Sequence, residues 1–245
     1  MSMRISQHPT LDELAHALAG AFIEICRQRQ GDGGVPCAVL TGGSGGERVL
    51  EALSSHPDRD TVEWTRVRFI WGDERWVPSG HEDRNDLLAD RTLFDAVAVD
   101  PSLVHRVAGP DSGLTLDEAA DAYAAVVHGI DRIDVALNGV GPDGHIASLF
   151  PGRDELEIVS DEAPEALPIR NSPKPPPERV TLTLPALRRA ERVWLIAAGT
   201  AKAEAVGRTI ARSAPLLPAA RVFGAAETVL WADTAALGAP SASSS

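Results

Sequence analysis

Two cysteines, Cys26 and Cys37, are all that this 245-residue chain carries. So few exclude a disulfide framework, and their spacing makes no metal or redox motif. Long apolar runs are missing too, so no segment reads as a membrane span. The N-terminus lacks the basic and apolar blocks of a secretion signal, and a cytoplasmic protein with no membrane partner is expected. Basic residues are in deficit: 23 Lys and Arg stand against 35 Asp and Glu, a formal net charge of -12. A nucleic-acid binder needs a basic face to displace counterions, and this balance argues against one. It does not exclude a small anionic ligand, because a few local cations outweigh a distant negative background.

What is present is ordinary globular material, 44% hydrophobic, enough for a sizeable core. Leu11, Leu14, Ala15, Leu18, Phe22, Ile25 and Cys26 recur at helical spacing, with Thr10 and Glu13 placed as a capping box. Gly31 to Gly34 ends that helix. Apolar runs at Cys37 to Thr41, Val67 to Trp71, Ile133 to Leu137, Val180 to Leu184, Val193 to Ala197 and Thr228 to Trp231 read as strands. Glu47 to Leu53, Asp86 to Val97, Thr115 to His128 and Ala201 to Arg212 read as helices. Strands alternating with helices imply an α/β fold, a mainly parallel sheet covered on both faces. No linker divides the chain, so residues 1–237 are expected to form one domain. The small, polar tail at 238–245 is expected to be disordered. The proline-rich stretch Asn171 to Pro177 reads as a stiff loop. The five tryptophans read as core or rim packing.

Four strand ends carry residues suited to a ligand. Thr41-Gly42-Gly43-Ser44-Gly45-Gly46 leads into a helix, whose free N–H groups and positive dipole end suit an anion. Without a Gly-Lys-Ser/Thr ending it is not a nucleotide P-loop, and a tight strand-to-helix turn is the lesser reading of it alone. Trp71-Gly72-Asp73-Glu74-Arg75-Trp76 offers a guanidinium able to hold a phosphate or carboxylate bidentately; alone it reads as a local ion-pair network. Asp143-Gly144-His145 follows a buried strand, and His145 can take a proton from water if a carboxylate orients its ring. Asp143 and Asp73 are equal candidates for that carboxylate. Arg170, Lys174 and Lys202 are candidate ligand cations, whereas Arg179 reads as a solvated charge.

Together these pieces are far more specific than any one alone. Leu40 to Ser44, Trp71 to Arg75, Gly139 to Gly152 and Ser172 to Thr183 resemble, in order, the motifs of the glucosamine-6-phosphate isomerase/6-phosphogluconolactonase family, on its lactonase side. The resemblance runs from about Thr10 to Trp231. It implies a Rossmann-like fold shared with glucosamine-6-phosphate deaminase and ribose-5-phosphate isomerase. It also implies hydrolysis of 6-phospho-D-glucono-1,5-lactone in the oxidative pentose phosphate pathway, with no metal and no cofactor. A monomer is expected, with the sugar-phosphate lactone as its partner. One departure stands out. Relatives often carry Ser-Thr-Pro where this chain has Ser44-Gly45-Gly46, which removes a preset helix start and a hydroxyl.

The reading that follows seats the phosphate between Gly42, Gly43, Ser44 and cations drawn from Arg75, Arg170, Lys174 and Lys202. His145 activates water, Asp73 or Asp143 holds its tautomer, and Arg75 or a backbone N–H meets the oxyanion. No Gly-x-Ser-x-Gly elbow offers a covalent nucleophile. A deaminase is the first competitor. Deaminases continue Asp-Gly-His-Ile-Ala with Phe-Asn-Glu-Pro-Gly, and this chain has Ser148-Leu149-Phe150-Pro151-Gly152, where Phe150 cannot do the proton work of the Glu. A sugar-phosphate sensor attached to a DNA-binding segment is the second, disfavoured by the short stretch before Thr10 and by the acidic charge.

Overall fold

The computed structural model describes residues 3–160 and 162–238; the tail expected to be disordered therefore lies, apart from Gly238, outside the described residues. In chain order the elements are β1 (Arg4–His8), α1 (Leu11–Gly31), β2 (Cys37–Leu40), α2 (Gly43–Ser55), β3 (Arg68–Trp71), β4 (Asp73–Arg75), α3 (Asn85–Ala89), α4 (Leu116–His128), β5 (Ile133–Gly139), β6 (Ala166–Ile169), β7 (Arg179–Leu182), α5 (Leu184–Arg188), β8 (Ala190–Ala197), α6 (Ala203–Ala211), α7 (Pro218–Arg221) and β9 (Glu227–Asp233). Six strands form one parallel sheet in the order β1-β9-β8-β5-β2-β3. From β2 the chain winds outward to β3; from β5 it winds the other way, to β8 and β9. The crevice beyond the carboxyl ends of β2 and β5 is thus the topological switch point, where open α/β sheets take ligands.

The pleat explains the two-faced core. Along β2, Ala38 and Leu40 point to one side and pack with Leu18 and Phe22 of α1 and Val49 and Leu53 of α2. Cys37 and Val39 point to the other and pack with Ala120, Tyr123 and Val127 of α4. The two thiols consequently lie on opposite faces, each free and buried. Helix α4 starts at a complete capping box between Thr115 and Glu118. At α1, Thr10 Oγ1 accepts the Glu13 N–H at 3.2 Å and donates to the Glu13 carboxylate at 3.1 Å.

Three differences from the sequence reading bear on the site. Strand β1 was not expected; its RISQH, with no residue buried, is too polar to stand out, and it is held by parallel pairing to β9. Strand β7, expected from Val180, belongs instead to a second, antiparallel sheet in the order β4-β7-β6. The two sheets join at Gly72, whose N–H donates to Leu40 O (2.9 Å) while its carbonyl accepts from Leu182 N (2.8 Å). Helix α2 begins at Gly43, four residues before the expected Glu47, so the glycines form its first turn. Ala166, Val180 and Leu182 of the small sheet share one buried cluster with Val39, Ile70 and Leu195 of the large one. No helix among the described residues is long and apolar enough to cross a membrane.

Candidate active site

A cavity of about 290 Å³ opens at the switch point, lined by the ends of β2, β5 and β8, by β4, by the start of α2 and by the proline-rich loop. Gly42, the N-cap of α2, offers no side chain to its free N–H groups, and the first turn holds no acid. The positive end of the helix is therefore left for an anion. Glycine is required here for space. A Cβ on Gly42 would lie 1.8 Å from Asn85 Oδ1, and one on Gly46 would lie 2.2 Å from the Thr41 carbonyl oxygen. At Gly45 the nearest atom would be Ile196 Cγ2 at 3.0 Å. The Gly45-Gly46 departure thus lets α2 start tightly against β2 and β8.

After β5 the chain turns sharply. Gly144 N–H donates to the Gly141 carbonyl (2.9 Å) and Gly141 N–H to the His145 carbonyl (2.8 Å). The imidazole lies over Gly141, where a Cβ would come within 2.0 Å of the ring. Its other neighbour is the tilted ring of Phe150, 4.7 Å between centroids. His145 Nδ1 meets Asp143 Oδ1 at 2.5 Å, which places the ring proton on Nδ1 and leaves Nε2 with its lone pair. Burial holds the His145 pKa below the ordinary histidine value; Asp143 counteracts this, and Lys174 adds to it. The ring is a neutral base at neutral pH. Burial raises the Asp143 carboxyl, but the bond to His145, the charges of His145 and Lys174 and a backbone hydrogen bond together leave the net value low.

Asp73 is engaged elsewhere. It accepts from Ser148 Oγ at 2.6 Å and from Asn85 Nδ2 at 3.4 Å, and it faces Arg179 Nη1 at 3.7 Å. Of the two acids left open by the sequence, Asp143 is the one on the imidazole. Asp73 lines the cavity as an anchor for its walls. Glu74 is buried and accepts the N–H groups of Arg75, Asn85 and Asp86 at 2.8, 2.8 and 2.9 Å; burial and the nearby Asp86 push its carboxyl up to about 7. Glu74 thereby folds the chain back so that Arg75 and Asn85 reach the same cavity. Arg75 donates to the Asp83 carbonyl at 2.5 Å through Nη1.

The chain has only two lysines, Lys174 and Lys202, and both line this cavity. Burial and then the charge of Lys174 hold the Lys202 pKa below its ordinary value. Both cations thus belong to one wall, and each disfavours the other's charge there. Arg170 is placed differently from its expected role. It pairs with Asp117 at the start of α4 and is absent from the cavity wall. Its position just outside β6 turns it from the crevice. Arg179, read as a solvated charge, is instead 5% exposed and lines the cavity. Asn85, 3% exposed, was not anticipated, because nothing in a helix-start Asn marks it as part of a site.

Fold and cavity together define an open α/β protein with a cation-lined, histidine-bearing crevice at its switch point. A family model described as glucosamine-6-phosphate isomerases/6-phosphogluconolactonase matches residues 9–231, and the chain belongs to that family. It is 39% identical over 241 residues to the 6-phosphogluconolactonase of Streptomyces coelicolor, covering 94% of this chain and 91% of that protein. The solved 6-phosphogluconolactonase of Trypanosoma brucei superposes with a TM-score of 0.83 at 26% identity, over 97% of this chain and 98% of that one. A monomeric glucosamine-6-phosphate deaminase superposes with a TM-score of 0.80 at 16% identity, over 96% of this chain and 99% of that one, and shows the common fold.

Proposed function

We propose that this chain hydrolyses 6-phospho-D-glucono-1,5-lactone to 6-phospho-D-gluconate, the lactonase step of the oxidative pentose phosphate pathway. The observation that carries this reading is one cavity lined by His145, whose ring is held by Asp143, by the uncapped N-terminus of α2 and by the two lysines. The names of the curated relatives support it.

In this reading His145 Nε2 takes a proton from water as its oxygen attacks the lactone carbonyl. Asp143 holds the other ring nitrogen and stabilises the imidazolium that forms. Arg75 faces the developing oxyanion. The ring oxygen then leaves, taking the proton from His145, and the carboxylic acid is free. Gly42, Gly43 and Ser44 supply backbone and hydroxyl donors to the phosphate, with Lys174 and Lys202 as its counter-charges. The deaminase reading is less favoured. Phe150, where deaminases carry a Glu, is 2% exposed against the imidazole and offers no proton.

Acid release from fresh 6-phosphogluconolactone, measured over the uncatalysed background, tests the reaction. Glucono-1,5-lactone tests the phosphate site. Each charge-assisted bond contributes about 1.5–3 kcal/mol, so losing two or three costs several powers of ten at about 1.4 kcal/mol each. Equal kcat/KM for the two lactones would remove the phosphate site from this account, and no rate above background would remove the reaction.

A further inference from the structure

The proline-rich loop brings Lys174 to the cavity, yet it has little of its own to hold it there. Pro173, Pro175, Pro176 and Pro177 carry no N–H, so the loop offers mainly carbonyls for hydrogen bonding. Within it, Ser172 N–H donates to the Pro177 carbonyl at 2.9 Å and Lys174 N–H to Ser172 Oγ at 3.3 Å. The carbonyls of three consecutive residues are then taken by one side chain. Arg179 Nε donates to Pro176 O, and Nη2 donates to both Lys174 O and Pro175 O, each at 3.1 Å. The third nitrogen, Nη1, reaches Ser148 Oγ at 3.4 Å and Asp73 at 3.7 Å. The guanidinium stands over the Phe150 ring, 5.9 Å from its centroid.

We infer that Arg179 is a positioning residue for phosphate recognition: its guanidinium braces the carbonyls of residues 174–176 so that the Lys174 ammonium is presented to the phosphate. This rests on the lactonase reading for the identity of the ligand. The planar fork is what the task requires. Five donors in fixed directions can serve three carbonyls and two walls at once, whereas an ammonium on a shorter stem has three donors and no fixed plane. The brace links the loop to Ser148 and Asp73, and so to the wall that carries His145.

The test is a double-mutant cycle on the intact chain with Arg179→Lys, Lys174→Ala and the pair. It is read as KM for the phosphorylated lactone and as calorimetric Kd for 6-phosphogluconate and for gluconate. Arg179→Lys should raise KM and the 6-phosphogluconate Kd roughly tenfold or more, as expected for one displaced charge-assisted contact. It should change kcat and the gluconate Kd far less. In the Lys174→Ala background the same substitution should add almost nothing. The proposal fails if the full loss persists without Lys174, if it falls equally on both sugar acids, or if it lies in kcat. Arg179→Gln serves as the second variant. If both Arg179 variants lose the fold by circular dichroism, Arg179 is a structural brace only and the proposal is overturned. Wild-type protein that binds 6-phosphogluconate without hydrolysing the lactone would sink the lactonase reading while the cycle of Kd values still decides the role of Arg179.

Discussion

At the scale of single residues the account turns on protons and fixed charges. With His145 held below the ordinary histidine value by burial, it stays a free base as pH falls past that value. The acid limb of kcat/KM should therefore lie below the ordinary histidine pKa of about 6.5. Asp143 works against that depression, so Asp143→Asn should move the limb to still lower pH while lowering kcat. A limb that stays put, or moves up, would contradict the pairing. Lys202 carries the opposite sign. Its lowered pKa means that it loses charge below the usual lysine range, so 6-phosphogluconate affinity should weaken with rising pH earlier than a solvated lysine would allow. Lys202→Ala should abolish that dependence, and titration calorimetry across alkaline pH checks it. His145, Asp143, Asp73, Arg75, Lys174 and Lys202 were legible in the sequence because each lies just past an apolar run or in the proline loop. Arg179 was misread because a cation beginning a strand gives no sign of its burial. Arg170 was misread because nothing in the sequence marks β6, whose end holds it beside Asp117 and away from the cavity.

Elements explain why these residues converge. At the start of α2, Asn85, β8 and β2 crowd the Cβ positions of Gly42, Gly45 and Gly46, whereas Gly43 has open space but a φ of +72°. Gly46→Ala puts a methyl 2.2 Å from the Thr41 carbonyl, and overpacking of this kind costs about 1–3 kcal/mol. For a chain of this size that corresponds to a melting temperature lower by roughly 2–4 °C per kcal/mol. KM for the phosphorylated lactone should rise as well, since α2 must shift from β2. An unchanged Tm and KM would show that the turn is loose. The long, strongly periodic helices and buried strands were readable because their patterning matches their burial. Strands β1, β4 and β6 were not. They are short, polar or proline-containing, and they exist through pairing with β9 and β7 rather than through any pattern of their own.

For the whole molecule, the shared cluster beneath both sheets argues for one cooperative unit across residues 3–238. Tryptophan fluorescence, which reports Trp64, Trp71, Trp194 and Trp231 of the α1/α2 face and Trp76 against the other cluster, should melt together with the far-ultraviolet circular dichroism signal. Two separated transitions would divide the chain. The net charge of -12 surrounds a cavity whose lining carries Arg75, Lys174, Arg179 and Lys202 against Asp73, so the cavity is locally cationic against an acidic whole. The central claim is that this cavity opens a lactone by base catalysis through His145. Its most direct test is turnover of fresh 6-phosphogluconolactone by wild type and by His145→Ala of equal melting temperature, each corrected for spontaneous opening. The account predicts a wild-type rate well above background and a fall of about 10²- to 10⁴-fold in the variant; a folded His145→Ala protein with wild-type turnover would contradict it.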